Sequence, residues 1–183
     1  MTRTQKTIKE LRTEQYTYNI ALYPFIDNWI KNPYTYLKAR ILMESSAGLV
    51  WLLLKTNIKP NTVTVIYGLA GILTGILLAI PNNYTICAAL FIAFTKGILD
   101  WSDGHFAGVT GQTSLTGHIL DVYGAFLNSV GLQIGLGLYV AVNLDSLLFY
   151  YLVTVLLFFR LCDLKIFSKV IMFDEISSRD NAV

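Results

Sequence analysis

Charge is what this chain has least of. Of its 183 residues 14% are Asp, Glu, Lys or Arg and 54% are hydrophobic, where an ordinary soluble domain carries roughly 25% charge. That argues against a soluble globular protein. The charges are also unevenly spread: of 26 in all, five (Lys96, Asp100, Asp103, Asp121 and Asp145) fall in the 99 residues from Asn61 to Phe159, a stretch that reads as membrane. Cysteine is nearly absent. Cys87 and Cys162 sit in or beside apolar runs without metal-ligand spacing, which excludes a disulfide framework or a zinc site. With a net charge of +2 and no block of like charges, no nucleic-acid partner is expected. The first 16 residues carry six charges and no apolar run, so they lack the core of a secretory signal, and export is not expected. Internal repeats and low-complexity tracts are missing too, which leaves one membrane domain with an N-terminal extension.

What is present is a series of long apolar runs. After Pro60-Asn61, the 19 residues from Thr62 to Ile80 are uncharged, about 28 Å of helix and enough for one span. Pro81-Asn82-Asn83 is a turn signal. A second apolar segment runs from Tyr84 to about Ala107 and carries Lys96, Asp100 and Asp103 in its later half. The polar, glycine-containing Gly108 to Thr116 suits a short surface connection. A third run covers Gly117 to Val142, a turn falls at Asn143 to Ser146, and a fourth run reaches from Leu147 to about Leu161. The expected fold is all-α, a polytopic membrane bundle of about four spanning helices. Its domains are read as a cytoplasmic extension over 1–59, a membrane domain over 60–165 and a cytoplasmic tail over 166–183.

Orientation follows from the basic residues. Nine Lys and Arg precede Asn61, four lie at or beyond Arg160, and the turns expected outside contain none, so both termini are expected on the cytoplasmic side. The segment from Tyr34 to Leu54 is too short in apolar length to span, because Arg40 and Glu44 interrupt it. An interfacial helix is expected there, with Tyr34, Tyr36, Trp51 and Lys38 at headgroup level. The alternative is a packed helix that touches no lipid.

Ionisable groups in spanning helices cost at least roughly 2.5 kcal/mol each on insertion scales, so they face partners, water or ions. Here three occur together. Asp100 and Asp103, at i and i+3, share a helix face, and Asp121 lies about one turn into the next helix across a short polar loop. Two antiparallel neighbours would bring all three into one pocket at the cytoplasmic interface. Carboxylates gathered in low dielectric need compensating cations, and an oxygen-lined site for Mg2+ or Mn2+ supplies them, with phosphate as the usual companion. The plainer reading has Lys96, four residues before Asp100, neutralising one carboxylate while another is protonated; it accounts for two of the three.

The string DWSDGHFAGVTGQTSLTGHILD, from Asp100 to Asp121, resembles the signature of the CDP-alcohol phosphatidyltransferase family at six spaced positions: Asp100, Asp103, Gly104, Ala107, Gly117 and Asp121. Upstream, Pro60-Asn61-Thr62-Val63-Thr64 is similar to the Pro-Asn-x-x-Thr that opens the family's first core helix. The resemblance implies a membrane enzyme of phospholipid biosynthesis that transfers a substituted phosphate from a CDP-linked donor to an alcohol acceptor and releases CMP. It implies Asp100, Asp103 and Asp121 as ligands of Mg2+ or Mn2+, and Asn61, Thr64, Gly104, Ala107, Ser114 and Gly117 as the nucleotide pocket. These residue types suit the task. Metal on the pyrophosphate neutralises the leaving CMP, and small residues let a nucleotide lie against the helix backbone.

The pattern breaks at two places. The family continues to an Arg directly after the motif Ala and to a fourth Asp four residues beyond the third, where this chain has Gly108 and Ala125. The fourth carboxylate is the family's expected general base, and Ala125 cannot serve. His118, at i−3 from Asp121, is the candidate substitute near neutral pH, unless it is an interfacial histidine bonded to a backbone carbonyl. Asn128 can offer oxygen to a metal but is no base, and His105 has no stronger claim. The family usually has six core helices, while four follow Asn61 here, so the chain is either short or a fragment, and a homodimer would supply missing walls. Gly71-x-x-x-Gly75 and Gly131-x-x-x-Gly135 permit close helix contact, more often within a chain than between chains. Three functions follow: the transferase; a catalytically disabled relative that binds metal or a CDP-alcohol as a scaffold; and an ion pathway, which is disfavoured by apolar midspan residues such as Ile72 and Leu136.

Overall fold

A computed structural model describes the backbone of residues 6–180 and side chains as far as residue 164; the ends of the extension and of the tail lie outside the described residues. Among the described residues there are six α-helices, one 3-10 turn and no strand. They are α1 (Ile8–Leu22), a 3-10 turn (Pro24–Asp27), α2 (Pro33–Leu53), α3 (Pro60–Ala79), α4 (Asn83–Thr110), α5 (Leu115–Asn143) and α6 (Leu147–Asp180). Four helices, α3, α4, α5 and the first 18 residues of α6, are long and apolar enough to cross a membrane. The expected four-span, all-α architecture is what the chain adopts.

The helix ends follow from local chemistry. Pro60 opens α3, where its missing N–H costs nothing. α4 runs three residues past the expected Ala107 and stops at Gly111, whose φ of 62° is open to glycine. The Gly111 N–H donates to the Gly108 carbonyl at 3.2 Å and that of Gln112 to Ala107 at 2.9 Å, the paired bonds of a Schellman cap. Ser114 then caps α5, its Oγ accepting the Gly117 N–H at 3.0 Å. α6 continues beyond the end of its apolar run near Leu161 as one helix to Asp180.

The chain forms two compact units, one of residues 1–68 with 94–124 and one of 69–93 with 125–183. In the first unit α1 is an element that composition did not announce. Thr7 and Glu10 form a reciprocal capping box at its start, and Leu11 from its inner face joins Ala47, Val50, Leu53, Val63 and Phe106 in the core. Burial of side chains as large as Leu11 and Phe106 contributes about 1.5–3 kcal/mol apiece. Arg12 and Glu44 pair across α1 and α2 at 2.6 Å. α2 buries one stripe, Ala39, Leu42, Met43, Ser46, Ala47 and Val50, and exposes Tyr34, Leu37 and Ile41 on the other side. It is therefore packed along one face, and its open face mixes these apolar side chains with the exposed Lys38 and Glu44.

In the second unit the glycines set the spacing of α3 and α5. A Cβ added at Gly75 would meet the Gly131 carbonyl oxygen at 2.5 Å, and one at Gly135 would meet the Gly75 Cα at 2.6 Å. The two small-residue pairs are thus used against each other within one chain. The Arg160 Nε of α6 donates to Gln133 Oε1 of α5 at 2.8 Å, giving the guanidinium at the end of the apolar run a polar partner. Apolar side chains such as Tyr151, Leu152, Phe158 and Phe159 line the open face of α6.

Candidate functional site

All of the residues singled out above as metal- or nucleotide-binding fall in the first unit. Asn61 and Thr64 come from the first turns of α3, Asp100, Asp103, Gly104 and Ala107 from the last turns of α4, and Gly117, His118 and Asp121 from the first turns of α5. Gly117 brings α5 against α3: its missing Cβ would lie 3.0 Å from Asn61 Oδ1 and 3.3 Å from Ser114 Oγ. Gly124, two turns on, does the same beside Tyr67, at 3.0 Å. Three expected residues, Asn61, Ser114 and Gly117, therefore meet at one spot.

The aspartates gather next to it. Asp103 is only 6% exposed, and its Oδ1 accepts the Gly104 N–H at 2.7 Å. Its Oδ2 is buried with no hydrogen-bond partner among the described residues, and the Thr64 hydroxyl lies close enough to act on the carboxylate. Thr64, buried beside it, donates its hydroxyl to the Pro60 carbonyl at 3.4 Å. Asp100 and Asp103 each lie close enough to Asp121 to feel its charge, and Lys38 and Lys96 are the cations within electrostatic range of Asp100. No aspartate of the three is in an ion pair among the described residues, so Lys96 does not close on Asp100. Nor do any three His, Cys, Asp or Glu side chains among the described residues already surround one point as a metal cage would.

Asp100, Gly104 and Gly108 of α4, with Asp121, form one side of a cleft of about 980 Å3, a size suited to a small-molecule substrate. A Cβ at Gly104 or Gly108 would meet no atom within 4 Å, so this side of α4 is bare. The opposite wall comes from α1 and α2. Of the other expected residues, Asn61, Thr64, Asp103, Ala107 and Gly117 do not line the cleft; Ser114 and His118 are exposed, and His118 stands near Asp121 outside the lining. His105 does line it.

Two residues of this region escape a motif-based reading. Tyr67, 7% exposed, directs its hydroxyl toward Asp100 and feels all three carboxylates; the signal was its position three residues after Thr64, on the stripe that begins at Asn61. Gln15 reaches the cleft from α1, where the Thr7-x-x-Glu10 capping box was the available clue.

No curated protein and no solved structure matches the chain. The spacing of small and acidic residues around this cleft is nevertheless that of a known set of membrane enzymes: a family model described as CDP-alcohol phosphatidyltransferase matches residues 57–178, 122 of the 183, and the chain belongs to that family, whose members carry out phosphatidyl transfer from a CDP-alcohol in phospholipid synthesis.

Proposed function

We propose that this chain is a divalent-metal-dependent phosphotransferase that moves the substituted phosphate of a CDP-linked donor to an alcohol and releases CMP. Asp100, Asp103 and Asp121 hold the metal in this reading, and Asn61, Thr64, Gly104, Ala107, Ser114 and Gly117 accommodate the nucleotide. The observation that carries it is Asp103, a buried carboxylate whose Oδ2 has no hydrogen-bond partner among the described residues, with the Thr64 hydroxyl acting on the carboxylate from beside, set among two further carboxylates. Buried acceptors left unpaired are costly, and a hard cation is the partner that an oxygen-only donor set suits. The absence of a closed cage does not tell against this. Mg2+ keeps several waters and takes one or two carboxylates together with substrate phosphate, so an open acidic face is the form such a site has before substrate binds.

Bound there, Mg2+ or Mn2+ would offset the charge that develops on the leaving CMP phosphate. The chain's own residues do the rest. The bare backbone at Gly104 and the glycine at Gly117 admit a nucleotide against α4 and α5. Tyr67 fixes the Asp100 carboxylate from α3. His118, exposed and within electrostatic range of Asp121, is the residue assigned in this reading to accept the proton of the alcohol as its oxygen attacks phosphorus and CMP leaves. The work falls to the membrane domain of residues 60–165, with its aspartates toward the cytoplasm.

A second reading is favoured by Ala125 and Gly108, which replace the family's base and its cation: a relative that binds donor and metal without turnover, as a scaffold. The test is CMP release by the purified protein with Mn2+ or Mg2+, CDP-diacylglycerol or small CDP-alcohols, and a panel of acceptors. Turnover by the wild type that Asp103→Ala abolishes is the expected result. Release by Ala125→Asp alone would support the disabled relative, and no release by either protein on any donor would overturn the transferase reading.

A further inference from the structure

One side of α2 faces neither the core nor the cleft. Tyr34, Leu37, Ile41 and Leu52 are exposed there and fall on one stripe, because the step of 18 from Tyr34 to Leu52 is five helical turns. Just ahead of the helix, Ile30 is 91% exposed. The charges around this stripe are unbalanced. Asp27 and Glu44 are the only acids between Leu22 and Pro60, and an arginine holds each of them. Asp27 is met by Arg40 at 3.4 Å and by the Tyr16 hydroxyl, and Glu44, at the edge of the stripe, by Arg12 of α1 at 2.6 Å. Lys31 and Lys55 stand exposed at the two ends of α2, with Lys59 beyond, and none of the three is in an ion pair among the described residues. Lys55 lies over the Trp51 ring at 3.0 Å. Lys38 is exposed as well, but it lines the cleft within electrostatic range of Asp100. The headgroup set expected from the sequence is thereby redrawn, since Tyr36 packs on the Trp29 ring and Lys38 belongs to the cleft.

An exposed apolar stripe of this length marks an interaction surface, and its charges name the partner. Residues 54–59 join α2 to Pro60, where the first apolar span begins, and six residues reach at most about 20 Å. The stripe is therefore tethered close to a bilayer, at high effective concentration. A second copy of the chain in a two-fold contact would set the same lysines against each other. A bilayer that carries anionic lipid takes up both the apolar stripe and the uncompensated lysines. We propose that the outer stripe of α2, from Ile30 to Lys55, docks on an anionic lipid surface, and that Arg12 and Arg40 make this docking favourable by masking Glu44 and Asp27. The surface lies ahead of the family match, which begins at residue 57, and does not depend on the transferase reading.

The test uses the full chain in vesicles, with Cys87 and Cys162 changed to Ser and a nitroxide attached to one new cysteine at a time. Leu37→Cys and Ile41→Cys report the stripe. Thr13→Cys is the control, exposed and two residues past the buried Leu11, hence on the far side of α1. Oxygen concentrates in lipid and a nickel chelate stays in water, so the ratio of the two accessibilities reads depth. In phosphatidylcholine vesicles that contain phosphatidylglycerol, the stripe labels should favour oxygen and the Thr13 label the chelate. In pure phosphatidylcholine the seated population should fall by about fivefold for each lysine whose attraction is lost. Lys31→Gln should reproduce one such step in the anionic vesicles. Arg12→Gln, which unmasks Glu44, should produce a similar loss, and adding Glu44→Gln should restore the seating, as it would not if the fold were damaged. Stripe labels as open to the chelate as Thr13, or shielded from both reagents as a protein cover would leave them, overturn the docking. Equal oxygen preference in the two lipids overturns the role of charge and the proposal with it.

Discussion

A carboxylate that is 6% exposed, has one oxygen without a partner and lies near two more carboxylates makes Asp103 poor material for stability. Like charges held near one another repel, by about 4 kcal/mol at 4 Å for an effective dielectric near 20 and by less as they part, and sites kept for ligands commonly carry such costs. Asp103→Asn keeps the shape and removes the charge. In chelator it should therefore melt higher than the wild type, by on the order of 1 kcal/mol, and it should lose the stabilisation that Mn2+ gives the wild type. Thermal unfolding in detergent, with and without Mn2+, reads both effects. A variant less stable in chelator, or one still stabilised by Mn2+, would remove Asp103 from the metal site. The aspartates were legible at this scale because they were charges in an apolar chain. Tyr67 and Gln15 were not, since an aromatic residue in a spanning helix and a glutamine in a polar segment look ordinary until neighbours from other helices reach them.

Among the elements, those visible in advance were the ones whose own composition decides their fate. α3 and α5 begin and end within two residues of their apolar runs, because a chain in hydrocarbon must satisfy its backbone within a helix. α4 ends later than expected because Gly108 to Thr110 read as loop residues, yet the Schellman bonds at Gly111 and Gln112 place the stop after them. α1 was missed for a different reason. Its inner face buries only Leu11 and Gln15, too sparse a stripe for periodicity, and its start is set by a capping box. The glycine pairs were legible as close contacts, whereas their partners became clear only from α3 and α5 together. Gly131 carries the sharper consequence: a Cβ there would run into the Gly71 backbone, which cannot move as a side-chain tip can. Gly131→Leu should cost about 3 kcal/mol or more, at or above the upper end of overpacking penalties, and it should do so without touching the aspartates in the other unit. Thermal unfolding of that variant gives the stability loss. A stability equal to the wild type's would mean that the α3–α5 spacing is not set by these glycines.

For the whole molecule, four helices long and apolar enough to span would return the chain to the side on which it began, and the basic residues predict which side that is. Nine Lys and Arg precede Asn61 and four follow Phe159, while the α3–α4 turn around Asn82 and the α5–α6 turn around Asp145 hold none. Orientation by flanking Lys and Arg predicts that the α4–α5 connection, and with it Asp100, Asp103 and Asp121, lies on the cytoplasmic face. A nucleotide-linked donor requires that face if it is made in the cytoplasm. The prediction can be read from single cysteines once Cys87 and Cys162, both exposed, are changed to Ser. In intact cells a membrane-impermeant maleimide should label Asn82→Cys and leave Thr113→Cys unlabelled until the membrane is permeabilised. Both positions are exposed in the fold, so protection of either reports the membrane and not packing. The opposite pattern would turn the molecule over, set the aspartates on the outer face and leave a cytoplasmic CDP-linked donor without access to them.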